Sequence, residues 1–226
     1  HIKKKIIKLL IMLNTIFPKI HKGGYKFLAI SILATFIILF FSKFLGILFI
    51  LITIWVYYFF RDPERYSINN DKYLVSPADG LITDISEKSG PEELRLENIS
   101  FTRISVFMNV FNCHVNRTPS SGKVGEIFYK PGKFLNASLD KASEENERNY
   151  YKINLSNGEE IIIVQIAGLI ARRIVCEVEQ GQELKQGDRI GMIRFGSRVD
   201  IYFKNKKVLA KLGQNVVSGE SLIASD

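Results

Sequence analysis

The chain has 226 residues, of which 46% are hydrophobic, and it carries 31 Lys and Arg against 23 Asp and Glu, a formal net charge of +8. This apolar content is ample for a packed core and excludes an intrinsically disordered chain. Two cysteines exclude a disulfide-stapled scaffold, and three histidines exclude a histidine-rich metal site.

The basic charge is confined to the N-terminal part of the chain. Residues 1–60 contain eight lysines and no acidic residue, whereas residues 61–226 hold 23 basic and 23 acidic side chains. A nucleic-acid-binding domain would carry its excess charge on the folded body. The charge therefore indicates a membrane surface as the partner, and not nucleic acid.

The N-terminal 60 residues read as a membrane anchor. Residues 1–26 predict a basic amphipathic arm at the interface. Two apolar runs follow, Phe27–Phe41 and Phe44–Phe60. One straight helix over both would be about 51 Å long, against a hydrocarbon core of about 30 Å. Residues 27–60 therefore predict a helical hairpin, either transmembrane or deeply inserted and re-entrant, that turns at Ser42–Phe44 and has both ends in the cytoplasm by the positive-inside rule. A cleavable signal peptide and a buried soluble hairpin are the alternatives.

Residues 61–226 predict a β-rich domain, because short β-branched and aromatic runs recur between Gly, Pro and Asn turn signals. A polar, charged loop is expected at Pro131–Asn149. The predicted strands are Tyr73–Val75, Leu81–Ile85, Ile104–Val110, Lys123–Tyr129, Tyr150–Leu155, Glu160–Ile166, Ile174–Val178, Arg189–Arg194 and Val199–Phe203.

An internal repeat lies near the C-terminus. Gly181–Ile190 and Gly213–Leu222 share the pattern G-Q-x-[LV]-x-x-G-[DE]-x-[IL]. Glycines at this spacing predict the positive φ angles of tight turns. Such paired hairpins resemble those of biotinyl and lipoyl carrier domains, whose fold is a barrel-sandwich hybrid, although no attachment lysine lies between them.

A few residues could carry chemistry, and each has an ordinary structural interpretation as well. His114 is the one histidine after residue 60 and suits proton transfer near neutral pH. Asp79-Gly80 and Gly196-Ser197 are common turn dipeptides. Cys113 and Cys176 are interpreted as core residues.

The order of these motifs is more specific than any one of them. The chain contains, in sequence, Phe59–Arg65, Ser76–Gly80, the segment around His114, Pro131–Arg148 and Phe195–Ser197. The order and the amino-acid sequences of these motifs closely resemble those of the short, membrane-anchored phosphatidylserine decarboxylase proenzymes, over essentially the whole chain.

This resemblance implies a self-processing enzyme with a mainly β, barrel-sandwich-hybrid-like catalytic domain at residues 61–226. The chain would cut itself between Gly196 and Ser197 into a β chain, 1–196, and an α chain, 197–226, which stay associated. Ser197 would become a pyruvoyl group, so that no metal and no pyridoxal phosphate is needed. The pyruvoyl would form a Schiff base with the amine of phosphatidylserine and release phosphatidylethanolamine.

The resemblance also implies roles for other residues. His114 would act as acid or base and Asp79 would orient or assist it. Arg117 stands where longer members of the family have a second histidine, which leaves open whether His114 serves both cleavage and decarboxylation. Asn136, Ala137 and Gly168 are further candidates near the substrate. The domain is expected on the cytoplasmic side of the inner membrane, and family members are often homodimers. A non-catalytic, membrane-tethered binding module is the rival interpretation, and a related enzyme would act on another amine.

Overall fold

The computed structural model describes residues 17–135, 144–169, 173–194 and 197–226. It divides into two compact units, His1–Glu64 and Arg65–Asp226. The first sixteen residues of the predicted basic arm lie outside the described residues. The mainly β fold class, with an apolar helical segment before it, is confirmed.

The N-terminal unit contains two apolar helices, α1 (Tyr25–Phe41) and α2 (Lys43–Phe59), which are separated at Ser42. Ser42 has an extended backbone and its hydroxyl accepts a hydrogen bond from the Leu45 amide, as an N-cap residue does. Together with a 3-10 turn before α1, Lys22–Phe41 forms a helical stretch of 20 residues, long and apolar enough to cross a membrane; α2 is shorter.

The two helices pack against each other. The hydroxyl groups of Thr35 and Thr53 lie 2.9 Å apart, and Thr35 also donates to the Phe49 carbonyl oxygen at 3.3 Å. A Cβ atom at Gly46 would collide with the Leu39 side chain, so this glycine permits the close approach. Small residues and hydroxyl groups are the usual contacts between helices in lipid.

In its described residues the second unit contains a 3-10 turn at Glu92–Leu94 and fourteen strands. They form an eight-stranded sheet, β13-β2-β3-β11-β7-β6-β5-β9, and two three-stranded sheets, β1-β14-β12 and β4-β10-β8. The strands are β1 (Tyr73–Val75), β2 (Gly80–Ser89), β3 (Ser100–Met108), β4 (Val115–Arg117), β5 (Gly122–Lys130), β6 (Arg148–Asn154), β7 (Glu160–Ala167), β8 (Arg173–Cys176), β9 (Glu183–Leu184), β10 (Arg189–Arg194), β11 (Ser197–Phe203), β12 (Lys207–Val208), β13 (Asn215–Val216) and β14 (Leu222–Ser225).

All nine predicted strands are present, two of them with the predicted bounds, whereas the bounds of the other seven, the expected loop and the burial of one cysteine differ from the prediction. Strand β3 ends at Met108, so Val110 is in the following turn, and β6 begins at Arg148, inside the expected loop. Cys113 is buried as predicted, whereas Cys176 is exposed because it ends an edge strand. Its thiol lies 3.2 Å from the Val178 carbonyl oxygen.

The repeat forms two equivalent structures at opposite ends of the large sheet. The glycines Gly181, Gly187, Gly213 and Gly219 all have positive φ, which confirms the predicted turns. Strand β9 pairs with the start of β5, and β13 pairs with the start of β2. The two turns preceding β2 and β5, Ser76–Gly80 and Thr118–Gly122, are also alike, since each opens with a hydroxyl residue followed by proline.

The two equivalent turns bond to each other. The Val75 amide donates to the Pro119 carbonyl oxygen and the Arg117 amide donates to the Pro77 carbonyl oxygen, both at 3.0 Å. In each turn the first hydroxyl donates to the carbonyl oxygen two residues later, at 2.7 Å from Ser76 and 2.8 Å from Thr118. The unit therefore has an internal pseudo-twofold arrangement.

The chain passes between the β4-β10-β8 sheet and the large sheet at one corner. Strands β3 and β7 leave the large sheet at Met108 and Ala167, and the chain enters it again at Ser197 after β10. In the ladder, Met108 and Ala167 are the two partners of Ser197. All three crossings therefore occur around Ser197.

Candidate functional site

Ser197 is the first residue of β11 and is fully buried between β3 and β7. Side chains alternate along a strand, so Ser197 shares a face with Val199 and Ile201, which belong to the main core. Its hydroxyl has no hydrogen-bond partner among the described residues. Leaving a buried hydroxyl without a hydrogen-bond partner costs folding free energy. A catalytic role is one of the reasons for which proteins keep such groups.

His114 is buried immediately before β4, and its carbonyl oxygen accepts a hydrogen bond from the Ile193 amide on β10 at 3.3 Å. Its ring Nδ1 lies 3.0 Å from the Asn112 carbonyl oxygen. Because a carbonyl oxygen can only accept, Nδ1 carries the proton in this contact. In neutral His114 the other nitrogen, Nε2, is then the one that can accept a proton.

A network of hydrogen bonds between buried polar side chains places β4 over the start of β11. The Tyr151 hydroxyl donates to Gln165 Oε1 at 2.7 Å, and Gln165 Nε2 donates to Asn116 Oδ1 at 2.8 Å. Asn116 Nδ2 also contacts Met108 Sδ at 3.6 Å. Met108 and Gln165 are the ladder partners of Ser197 and Val199. Asn116 therefore lies beside the start of β11.

The same hydrogen-bond network also connects the start of β11 to His114, because His114 is two residues before Asn116. Burial is the main cause of the raised pKa of the Tyr151 hydroxyl, with Cys176 next, so Tyr151 remains a neutral donor. Sequence reasoning missed both amides. The available signal was a glutamine inside the apolar run of β7 and an asparagine between two buried residues.

Asp79 is buried in the turn before β2, and both of its carboxylate oxygens accept hydrogen bonds. Arg65 Nη2 donates to Oδ2 at 2.8 Å, and the Ser218 amide donates to Oδ1 at 2.8 Å. In the equivalent turn, the Ser121 hydroxyl accepts from the Gln186 amide at 3.2 Å. The bond to Ser218 is thus part of the fold, and the ion pair with Arg65 distinguishes Asp79 from its counterpart.

The other predicted site residues have different positions. Arg117 is buried and its Nη1 donates to the Gly187 carbonyl oxygen at 2.8 Å, so its guanidinium anchors one of the repeat turns. Gly168 is buried and directly follows the Ser197 partner Ala167. Gly196, Asn136 and Ala137 lie outside the described residues.

The opposite face of β11 is strongly charged. Arg198 and Asp200 are buried there and are joined at 2.9 Å, and Arg103 donates to Asp84 at 2.9 Å and lies 3.8 Å from Asp200. A cavity of about 680 Å³ opens on this face. Burial, followed by the charge of Asp200, raises the pKa of the Tyr202 hydroxyl to about 12. These charges are paired, and they face away from the Ser197 side chain.

The residues present suit a group made from the chain itself. Among the described residues, no group of three His, Cys, Asp or Glu is placed to hold a metal ion. The buried Ser197 hydroxyl, at the start of a strand that is hydrogen-bonded on both sides, is where a serine-derived group would stand.

Comparison with known proteins gives a consistent result. The family model for phosphatidylserine decarboxylase matches residues 52–224. The phosphatidylserine decarboxylase proenzyme of Pelagibacter ubique (strain HTCC1062) is 65% identical over 213 residues, which cover 94% of this chain and 99% of that protein. The proenzymes of Rickettsia typhi and Rickettsia akari are 49% and 48% identical over 212 residues, covering 93% of this chain and 92% of each protein.

Proposed function

Because this chain belongs to the phosphatidylserine decarboxylase family, we propose that it removes the carboxyl group of phosphatidylserine to give phosphatidylethanolamine. The observation that carries the proposal is the buried Ser197 hydroxyl at the corner where the two sheets meet, with His114 immediately before β4 and bonded through its carbonyl oxygen to Ile193 of β10. One proton and one phosphatidylserine give one carbon dioxide and one phosphatidylethanolamine.

The chain first cuts itself between Gly196 and Ser197. The Ser197 Oγ attacks the Gly196 carbonyl carbon as its proton passes to a base, and the peptide C–N bond is replaced by an ester. A base then removes the Ser197 Cα proton, and the ester C–O bond breaks to release the Gly196 carboxylate. Water replaces the nitrogen of the resulting dehydroalanine, releasing ammonia and leaving a pyruvoyl group at the head of an α chain, 197–226.

His114 is our candidate for the proton transfers. The Asn112 carbonyl oxygen holds the proton on Nδ1, so Nε2 is the basic nitrogen. When formed, the pyruvoyl group supplies the electron sink for the loss of carbon dioxide. His114, once protonated, would return a proton to the carbon that carbon dioxide leaves. Asp79 assists indirectly, by holding the turn between β1 and β2 through Arg65 and Ser218.

The fold suits a product that remains associated after cleavage. Strand β11 belongs to the α chain but lies between β3 and β7 of the β chain, and β13 and β14 pair with β2 and β1. Arg103 of the β chain also lies 3.8 Å from Asp200 of the α chain in a buried site. The two chains would therefore separate only if the sheet unfolds.

The apolar helices support membrane association, and we propose that they form an anchor at the inner membrane with the β-rich unit on the cytoplasmic side. A diacyl lipid leaves a bilayer at a cost of about 0.8 kcal/mol per buried CH₂. An anchored enzyme avoids this cost because only the headgroup has to reach the site. The lysines of residues 1–60 would favour an anionic membrane.

The experiment compares two buried serines in the full chain. We expect Ser197→Ala to abolish both self-cleavage and the release of carbon dioxide from phosphatidylserine in mixed micelles. Ser105→Ala is the matched control, because Ser105 is also fully buried and its hydroxyl also lacks a partner among the described residues. A Ser197→Ala chain that decarboxylates phosphatidylserine, or a wild-type chain that remains uncut and inactive, would contradict the proposal.

A further inference from the structure

Two large apolar side chains stand exposed at the Ser197 corner. Phe111 is 72% exposed in the turn after β3, and Leu169 is 67% exposed just after β7. These strands end at Met108 and Ala167, the two ladder partners of Ser197. Single exposed apolar residues are common on proteins, but two of them beyond the ends of the strands on either side of β11, at a candidate site, suggest an interaction surface.

The turn that carries Phe111 is held by its own side chains. The Phe111 amide donates to Asn109 Oδ1 at 2.8 Å, and the Asn109 amide donates to Asn112 Oδ1 at 2.9 Å. The Asn112 carbonyl oxygen in turn contacts His114 Nδ1. The exposure of Phe111 is therefore a property of a structured turn, and that turn continues directly into the candidate base.

Two arginines face each other at the same corner. Arg173 begins β8 and Arg194 ends β10, and they are direct partners in the antiparallel ladder. Like charges opposite each other in a sheet repel each other, so this corner carries two positive charges side by side. Burial, followed by the charge of Arg173, lowers the pKa of the Arg194 guanidinium. Arg173 is exposed, and Arg194 lies three residues before Ser197.

We propose that Phe111, Leu169, Arg173 and Arg194 form a docking rim that contacts an anionic phospholipid bilayer, as a second membrane contact besides the apolar helices. The apolar tips would enter the boundary between headgroups and acyl chains, and the arginines would meet lipid phosphates. The proposal rests on the proposed function, since a bilayer lipid is the substrate there. Docking at this corner would bring lipid headgroups close to the start of β11, where Ser197 lies.

The first test measures insertion and needs no activity. The full chain carries a single tryptophan, Trp55, so Trp55→Phe in a Ser197→Ala chain gives a silent background. Tryptophan is then introduced by Phe111→Trp, and the protein is placed in vesicles of phosphatidylcholine and phosphatidylserine with or without brominated acyl chains. Leu212→Trp is the matched control, because Leu212 is 69% exposed on the turn before the outer strand β13.

We expect the bromines to quench Phe111→Trp strongly and Leu212→Trp little. Equal quenching of the two variants, or quenching of neither, would overturn the proposal. Adding Arg173→Glu should weaken the quenching of Phe111→Trp in vesicles that contain phosphatidylserine, but not in pure phosphatidylcholine. If Arg173→Glu leaves the quenching of Phe111→Trp unchanged in both vesicle types, the arginines do not contact lipid phosphates and that part of the proposal is wrong.

The second test separates docking from chemistry. We expect the double variant Phe111→Ser, Leu169→Ser to lower the rate of decarboxylation of bilayer phosphatidylserine by roughly tenfold, because two apolar side chains would no longer be buried in the lipid. Decarboxylation of monomeric short-chain phosphatidylserine should be unchanged, and Leu212→Ser should affect neither. Equal losses on both substrates would contradict docking. Quenching without wild-type decarboxylation would refute the proposed function alone, and decarboxylation without quenching would refute the rim alone.

Discussion

The ion pair between Arg65 and Asp79 allows a quantitative prediction about the turn before β2. The contact is 2.8 Å long, and the two side chains are only 17% and 11% exposed. Breaking a fully buried pair costs 3–5 kcal/mol, whereas exposed pairs contribute about 0–1 kcal/mol. For this partly buried pair we expect Arg65→Met to destabilise the β-rich unit by about 2 kcal/mol, because it leaves the Asp79 carboxylate without its guanidinium.

This loss should be visible as a lower melting temperature. In a unit of this size, 1 kcal/mol corresponds to about 2–4 °C, so the expected decrease is about 4–8 °C. The assay is thermal unfolding of the full chain in detergent, followed by near-ultraviolet circular dichroism in a Ser197→Ala background that prevents cleavage. Lys19→Met is the control, because the Lys19–Glu64 pair is 3.4 Å long and exposed, and we expect almost no change.

A double-mutant cycle tests the reasoning more strictly. Asp79→Asn retains an acceptor for the Ser218 amide but loses the charge that pairs with Arg65. If the ion pair is the main loss in both variants, the double variant should be more stable than the sum of the single effects predicts, by about 1–2 kcal/mol. Additive effects, or a melting temperature of Arg65→Met equal to that of the Lys19→Met control, would refute the account of this turn.

Two further predictions concern acid stability and the entry to β2. Burial raises the pKa of the Glu93 carboxyl, but the hydrogen bond from Lys130 at 2.7 Å and further contacts lower it more, so the net pKa is lowered. The Lys130–Glu93 pair therefore stabilises the folded unit fully above the unfolded pKa of glutamate, about 4.3, and this stabilisation is lost as the pH falls through the lower folded pKa. We expect Lys130→Met to lower the free energy of unfolding by about 0.5–1 kcal/mol at pH 7, and thermal melts should show no difference from wild type at about pH 3. A destabilisation that does not change with pH would contradict this. A Cβ atom at Gly80 would collide with the Phe107 carbonyl oxygen, whereas nothing lies within 4 Å of one at Gly158. Gly80→Ala should give an unfolded or uncut chain, whereas Gly158→Ala should lower the free energy of unfolding by only about 1 kcal/mol because of its positive φ. Equal melting temperatures of the two variants would show that the close approach of Gly80 to Phe107 does not determine stability.

Most of the predicted strands are long, and each of these presents several residues to the core; the shorter β1 and β8 were predicted from their apolar and β-branched residues. The sequence did not predict β4, β9, β12, β13 or β14, which contain two to four residues and show no alternating pattern. These strands form because distant segments supply their partners, as when Gly80 and Leu81 pair with Val216 and Asn215. The glycine repeat was recognised, but the matching turns at Ser76 and Thr118 became evident only from their mutual hydrogen bonds.

Ser197 and His114 are predicted as site residues because they lie in short motifs, and their roles stay predictions. The structure places Ser197 at the start of β11, at the corner between two sheets, and His114 immediately before β4. Arg65, Asn116 and Gln165 were not identified, because their importance depends on partners 14 to 49 residues away. Arg117 was compared with a histidine of longer relatives, but in the structure it bonds the Gly187 carbonyl oxygen, which gives it an anchoring position.

The most direct test of the central claim is the intact mass of the purified wild-type protein under denaturing conditions. The account predicts two chains, one ending at Gly196 and one of residues 197–226, with the smaller chain lighter by one ammonia than a peptide that begins with serine. That chain should also react with a hydrazide reagent for ketones. A single uncut chain, or a fragment that begins with an unmodified Ser197, would contradict the account.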